Sequence, residues 1–289
     1  MCCNYNNLLI KSSMENLYKI FENAIVDSLN KFKSANWDRN PFGHLVIDQF
    51  LPHDLAEQLN ESLQTYVAKS REEWKVYNNP LEKKAVLNEY SKFPKEVYSY
   101  FLALNSEKVT SVISSITGID NLIPDVGLHG GGVHMHTQGG KLNVHQDYSL
   151  HPRLGLQRRL NIILYLNKNW NINWGGGLGL YTEKKNQEAP DELIKTVDCI
   201  FNRAVLFDTA PGSWHGLPDP ILCPNDVVRV SLAFYYTREP VANAPTRGAV
   251  RFAPTPEQAS DPAIAELILQ RSDPEKAAAV YRNNNKTKL

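Results

Sequence analysis

RRLNIILYLN (158–167) is a short run of leucine, isoleucine and tyrosine, followed by Lys168, Asn169 and Trp170. Residues of this kind fit the pleated surface of a strand. The same texture recurs in GGVHMHT (131–137), KLNVHQD (141–147), GGLGLYT (176–182), KTVDCIFN (195–202), RAVLFDT (203–209) and VVRVSLAFYYT (227–237). Glycine, asparagine and proline separate these runs, and no helical pattern lies between them. Short strands in succession with turn signals predict an antiparallel sandwich or barrel.

Outside this block the periodicity is helical. MENLYKIFENAIVDSLNKF (14–32) places Leu17, Ile20, Phe21, Ala24, Ile25 and Leu29 on one face. HLVIDQF (44–50) reads as a short strand. Leu55, Leu59, Leu63 and Val67 mark a second helix, and SEKVTSVISSITG (106–118) a third, with Gly118 as its left-handed stop. The mixed stretch 69–95 is expected to be a loop or a short helix. TPEQASDPAIAELILQR (255–271) and DPEKAAAVYR (273–282) carry helix-start signals. The organisation expected is a flexible segment over 1–13 and a single domain over 14–240. That domain comprises helical support (14–118) and a β core (119–240), and a C-terminal helical extension (241–289) follows it. The fold class is mainly β with flanking helices.

Thirty-one basic residues against thirty-one acidic ones leave no net charge, which argues against nucleic-acid or polybasic membrane partners. No apolar run is long enough to span a bilayer, and MCCNYNNLLIKSS lacks the form of a signal peptide. The four cysteines form no CxxC, so a reducing cytoplasm is the simplest compartment. The C-terminal helices are expected to cap the mouth of the β core or to form a homodimer contact.

Within LNVHQDYS (142–149), His145 and Asp147 stand two apart, so on a strand both project to one face. Alone, such a pair is as readily a solvated polar face. His215, in the glycine- and proline-rich turn TAPGSWHGLPDP (209–220), offers a third ligand, or a turn histidine bonded to backbone. Two histidines and one carboxylate are the facial set of non-haem iron(II) oxygenases. Arg229 sits inside an otherwise apolar strand, where a cation needs an anion. A bound carboxylate would serve, and so would Asp226 or Asp208.

The ordered motifs HQD, RRLNIILYLNKNW, GGGLGLY, FNRAVLFDT, WHG and RVSLAFYYT resemble the Fe(II)/2-oxoglutarate-dependent dioxygenases, in the prolyl-4-hydroxylase-like branch. The resemblance covers roughly residues 125–240, with a weaker likeness at PFGHLVIDQFLP (41–52). The YLNKxW motif followed by a GG turn is similar to the hypoxia-sensing prolyl hydroxylases. The resemblance implies a double-stranded β-helix (jelly-roll, cupin-like) core. It implies Fe(II) on His145, Asp147 and His215, with 2-oxoglutarate and O2 as cosubstrates. Arg229 and Tyr165 would hold the distal carboxylate of 2-oxoglutarate, with Ile163, Leu180 and Leu217 along its wall. Asp147 implies hydroxylation rather than halogenation. LPDPILCPND (217–226) lengthens the spacing from His215 to Arg229, which reshapes the rim of the site.

Candidate substrate contacts are His134, His136, Arg158, Trp214 and Tyr235. For His134 and His136 the alternative is a polar strand end, and for Arg158 a surface charge. The substrate is expected to be a peptidyl residue of prolyl type or a small molecule such as a free amino acid. A non-catalytic binding scaffold is the remaining reading.

Overall fold

The computed structural model describes residues 2–69, 73–277 and 280. Two antiparallel sheets carry the fold. In chain order the strands are β1 (His44–Ile47), β2 (Lys75–Asn79), β3 (Glu82–Leu87), β4 (Ile123–Pro124), β5 (Gly132–His136), β6 (Lys141–Leu142) and β7 (His145–Gln146). Then follow β8 (Gln157–Tyr165), β9 (Leu178–Glu183), β10 (Pro190–Val197), β11 (Ala204–Asp208), β12 (Trp214–Gly216), β13 (Arg229–Arg238) and β14 (Arg251–Phe252). The larger sheet runs β1-β11-β8-β13-β5-β3-β2, with β4 on β13 and β6 on β3. The smaller runs β10-β9-β12-β7-β14. Flanked by helices, the pair forms a jelly roll.

Strand alternation assigns the two faces of the larger sheet. Leu160, Ile162 and Leu164 of β8, and Val230, Leu232, Phe234 and Tyr236 of β13, face outward into the main apolar core. Helices α1 (Cys2–Leu29), α2 (His53–Lys69), α3 (Lys95–Leu104) and α4 (Glu107–Thr117) supply the other half of that core. Phe21, Ile25 and Leu29 of α1 and Phe101 of α3 are fully buried there. The remaining residues of β8 and β13, including Tyr165 and Arg229, face the smaller sheet. Helix α4 has ordinary caps. The Ser106 hydroxyl accepts from the Val109 amide, and Gly118 closes the end at φ 71°.

Several elements differ from the sequence expectation. The helix expected over 14–32 begins at Cys2. The stretch 69–95 is neither loop nor short helix in its middle, because β2 and β3 form an antiparallel hairpin that widens the larger sheet. β2 is the exposed edge strand of that sheet, and β3, although internal, opens with the charged run Glu82, Lys83 and Lys84, so neither shows a clean alternation. Helix α3, with buried Val97, Tyr100 and Phe101, was not expected. In KTVDCIFN only Lys195–Val197 are strand, and Asp198–Arg203 make the turn into β11. Past residue 240 the chain first adds β14 and only then α5 (Pro262–Ser272), and DPEKAAAVYR lies partly outside the described residues.

Candidate metal centre

The antiparallel pairing of β7 and β12 sets His145 directly opposite His215. Their rings stand 4.4 Å apart between centroids. Each Nδ1 meets a backbone carbonyl at 2.9 Å, Asn143 O for His145 and Ser213 O for His215. A carbonyl only accepts, so each Nδ1 donates and each Nε2 is left with a free lone pair. Asp147 completes the group. Its Oδ1 lies 3.8 Å from His145 Nε2, and its Oδ2 lies 3.6 Å from His215 Nε2. One ligand atom from each of the three residues lies within 4.8 Å of the others.

Electrostatics keep this trio ready for a cation. Burial, then the neighbouring His215, lowers His145 to about 3, so its imidazole is neutral. His215 is lowered too, chiefly by burial. Burial alone would raise Asp147, but Arg158, His215 and His145 reverse that and bring it to about 2. Two neutral imidazoles and one ionised carboxylate with no thiolate fit a divalent iron that keeps open coordination positions. The three residues are only 6%, 9% and 4% exposed.

Arg229 lies on the inward face of β13, its Nε donating to Gly176 O at 2.7 Å. Its Nη1 is 3.4 Å from Ser231 Oγ and from His136 Nδ1. Among the described residues no carboxylate pairs with it, and Asp208 is engaged by Arg159 at 3.1 Å. The guanidinium stands 5.0 Å from the Tyr165 ring, and the Tyr165 hydroxyl is buried with no hydrogen-bond partner. Burial pushes that hydroxyl up to about 12, against the pull of Arg229, so it remains a donor. A buried cation and a buried unpartnered O–H side by side form a cradle for a carboxylate. Gly176 is part of it. It sits at φ +81°, and a Cβ there would stand 2.8 Å from Arg229 Cδ.

Ile163 and Leu180 pack with Tyr165 in one apolar cluster. Leu217 lies in the adjoining cluster with Ile221 and Cys223, and Trp170 touches both. That cluster is built from LPDPILCPND, so the extra residues pack rather than dangle.

Arg158 is inside the molecule, 2% exposed, and not a surface charge. A register shift between β8 and β13 at Tyr236/Thr237 re-aims it inward. Its Nη2 reaches Asp147 Oδ2 at 3.1 Å, and its guanidinium lies over the rings of Tyr235 (3.2 Å) and Tyr148 (4.4 Å). The Arg158 Nε has no acceptor. His134 and His136 lie on the same strand face as Arg229's partners, and His136 Nε2 is also unpartnered. Burial lowers His134 to about 3. Trp214 is not brought to the trio. Its neighbour His215 points in, so it points out, and its indole N–H bonds Glu183 at 3.1 Å beside Gln146.

Asn143, Tyr148, Arg247 and Phe252 also belong to this centre and were not expected. Asn143 and Tyr148 flank the HQD motif and are visible only as its neighbours. Arg247 and Phe252 come from an irregular segment with no periodic pattern.

Residues 131–237 match the family model of the 2OG-Fe(II) oxygenase superfamily. No curated protein matches the chain. Among solved structures, a prolyl 4-hydroxylase from Phytophthora capsici superposes with a TM-score of 0.51 at 20% identity, covering 93% of this chain and 81% of that one. A Pseudomonas putida prolyl-4-hydroxylase gives 0.49 at 18%, covering 75% and 98%. HygX from Streptomyces hygroscopicus, with nickel, 2-oxoglutarate and hygromycin B bound, gives 0.45 at 13%, covering 68% and 82%. The His-Asp-His cluster and the central jelly-roll strands lie inside the segment 131–237 that matches the 2OG-Fe(II) oxygenase superfamily, which supports a 2-oxoglutarate-dependent dioxygenase with Fe(II), 2-oxoglutarate and O2 as its cofactors.

Proposed function

We propose that this enzyme is a hydroxylase. His145, Asp147 and His215 would hold Fe(II), and Arg229 with Tyr165 would hold the distal carboxylate of 2-oxoglutarate. The observation that carries the reading is the buried guanidinium of Arg229, which pairs with no carboxylate among the described residues, beside the Tyr165 hydroxyl, which has no hydrogen-bond partner among them. When bound, iron and 2-oxoglutarate supply the oxidative chemistry that converts O2, cosubstrate and a C–H bond to a hydroxylated product, succinate and CO2.

The chain's own residues do the rest. Asn143 O and Ser213 O fix the imidazole tautomers, so each Nε2 faces the metal position. Arg158 neutralises the Asp147 oxygen that points away from His145. Ile163, Leu180 and Tyr165 line an apolar wall that excludes water from the reacting atoms.

The near-complete burial of the trio supports a substrate that reaches the metal as a slim group, and Arg158 supports one with a carbonyl or carboxylate near the reacting carbon. A small molecule such as a free amino acid is the favoured substrate class, and a peptidyl prolyl residue is the second. The test is anaerobic titration with Fe(II) and 2-oxoglutarate. The visible charge-transfer band of the chelate is expected with wild type and not with Asp147→Ala. A band that persists in that variant, or never forms in wild type, ends the proposal. Succinate release with free amino acids against prolyl peptides then decides the substrate class.

A further inference from the structure

Strand β7, which carries His145 and runs directly into Asp147, has β12 on one side, and its other edge is covered by chain from beyond the family-matched segment. Strand β14 pairs there, setting Arg251 against Gln146 and Phe252 against His145. The Ala253 amide donates to Val144 O at 2.8 Å. The Ser149 and Leu150 amides donate to Arg247 O at 2.7 and 3.0 Å. The Arg247 guanidinium in turn donates to the backbone carbonyl of Asp147 itself. The Phe252 ring lies 5.4 Å from the ring of His145. Asn143, whose carbonyl fixes the His145 tautomer, is held through its side-chain amide by Ala253 O at 3.0 Å and by Gln258 Oε1 at 2.6 Å.

This covering segment is itself anchored. Arg271 and Glu82 form an ion pair at 2.5 Å with both side chains 2% exposed. Phe252, Ile264 and Leu81 make a small apolar cluster, and Gln258 donates to Pro80 O at 2.8 Å. Residues 247–271 therefore tie the metal-bearing strand to the β2–β3 hairpin. The backbone on both sides of the two ligands is pinned by residues about a hundred positions downstream.

We propose that residues 247–253 are a positioning clamp for the metal ligands, with Arg247 and Phe252 as its working side chains. The clamp acts through hydrogen bonds to the ligand-bearing backbone and ring packing on His145, not by touching the metal. It rests on the reading that His145, Asp147 and His215 hold the ion. Outer partners of this kind fix ligand orientation, and their loss typically weakens metal affinity 10–100-fold.

The experiment titrates the full chain with Co(II), which reports binding and coordination through its visible ligand-field bands. Arg247→Ala and Phe252→Ala are expected to weaken Co(II) binding about 10–100-fold and to shift the bands. Arg247→Lys and Phe252→Leu keep charge or apolar cover, and are expected to recover part of both. Arg203→Ala, which removes an ion pair with Asp48 and no bond to the clamp or to the three ligands, is expected to leave both unchanged. Folded alanine variants with wild-type affinity and spectrum overturn the clamp. If the alanine variants do not fold, the Lys and Leu variants decide. A few-fold loss with shifted bands supports the clamp, and wild-type values overturn it. A wild-type chain that binds no Co(II) removes the metal-site reading and the clamp with it, whereas wild-type binding with indifferent variants removes the clamp alone.

Discussion

At the residue scale the two most informative side chains are Arg229, a buried cation that no carboxylate of the described residues pairs, and Tyr165, whose buried hydroxyl has no hydrogen-bond partner among them. Arg229→Ala is expected to weaken 2-oxoglutarate by about 2–5 kcal/mol, the cost of leaving a buried carboxylate unpaired. Tyr165→Phe removes one hydrogen bond, about 1 kcal/mol. Both are read as the 2-oxoglutarate concentration needed for half-maximal succinate release, and an unchanged requirement in Arg229→Ala makes that arginine structural. Arg229 stands out in the sequence as a lone cation in an apolar strand. The His-x-Asp pair stands out through its spacing, and His215 offers itself as a third ligand or as a turn histidine; only the resemblance chooses between the two, since no local pattern shows which strands pair. Arg158 illustrates the limit. Its burial depends on a register shift, and a bulge leaves no mark in a run such as QRRLN.

At the scale of elements, two glycines set the site through close approach. A Cβ on Gly216 would lie 2.9 Å from Leu142 O, Asn143 O and Val144 Cα, all backbone. Gly216→Ala is therefore expected to push β12 from β7, separate His215 from His145, and cost about 1–3 kcal/mol of stability. Urea unfolding and Co(II) titration would show the two losses together, and intact values in both would mean that the strands absorb the methyl. Gly176→Ala should act differently. Its Cβ would displace the Arg229 side chain, so the 2-oxoglutarate requirement should rise while metal affinity holds. Central strands such as β8 and β13 are legible because they are apolar and unbroken. β2 and β14 are not, because edge strands carry little alternation and owe their conformation to partners distant in sequence, and β3 is not, because it opens with the charged run Glu82, Lys83 and Lys84.

At the scale of the whole molecule, seven of the eight histidines are held below their ordinary value, with burial the first cause in each. Such groups are neutral when folded and take up protons more readily when unfolded. Their contribution is intact above pH 6.5 and is lost as pH falls below it. Asp147, held at about 2, acts in the same direction at lower pH. Metal-free protein is expected to lose on the order of 1 kcal/mol or more between pH 7.5 and 5.5, seen as a lower urea midpoint. A flat midpoint would mean that these imidazoles reach solvent.

The Arg158–Asp147 pairing has a bearing on how the enzyme acquires its metal. A buried carboxylate facing two imidazoles would be costly in an empty site, and small metalloproteins meet that cost by staying unfolded until the ion arrives. Here a resident guanidinium, braced between Tyr148 and Tyr235, stands in as counter-charge. Folding and loading are thus expected to be separate events, with the unloaded polypeptide already in a competent form. Stripping with a chelator should leave the near-ultraviolet circular dichroism unchanged, and activity should return within mixing time once Fe(II) is restored. In Arg158→Met the unloaded form should loosen first, so that the loss of one cation makes the protein depend on iron for its shape.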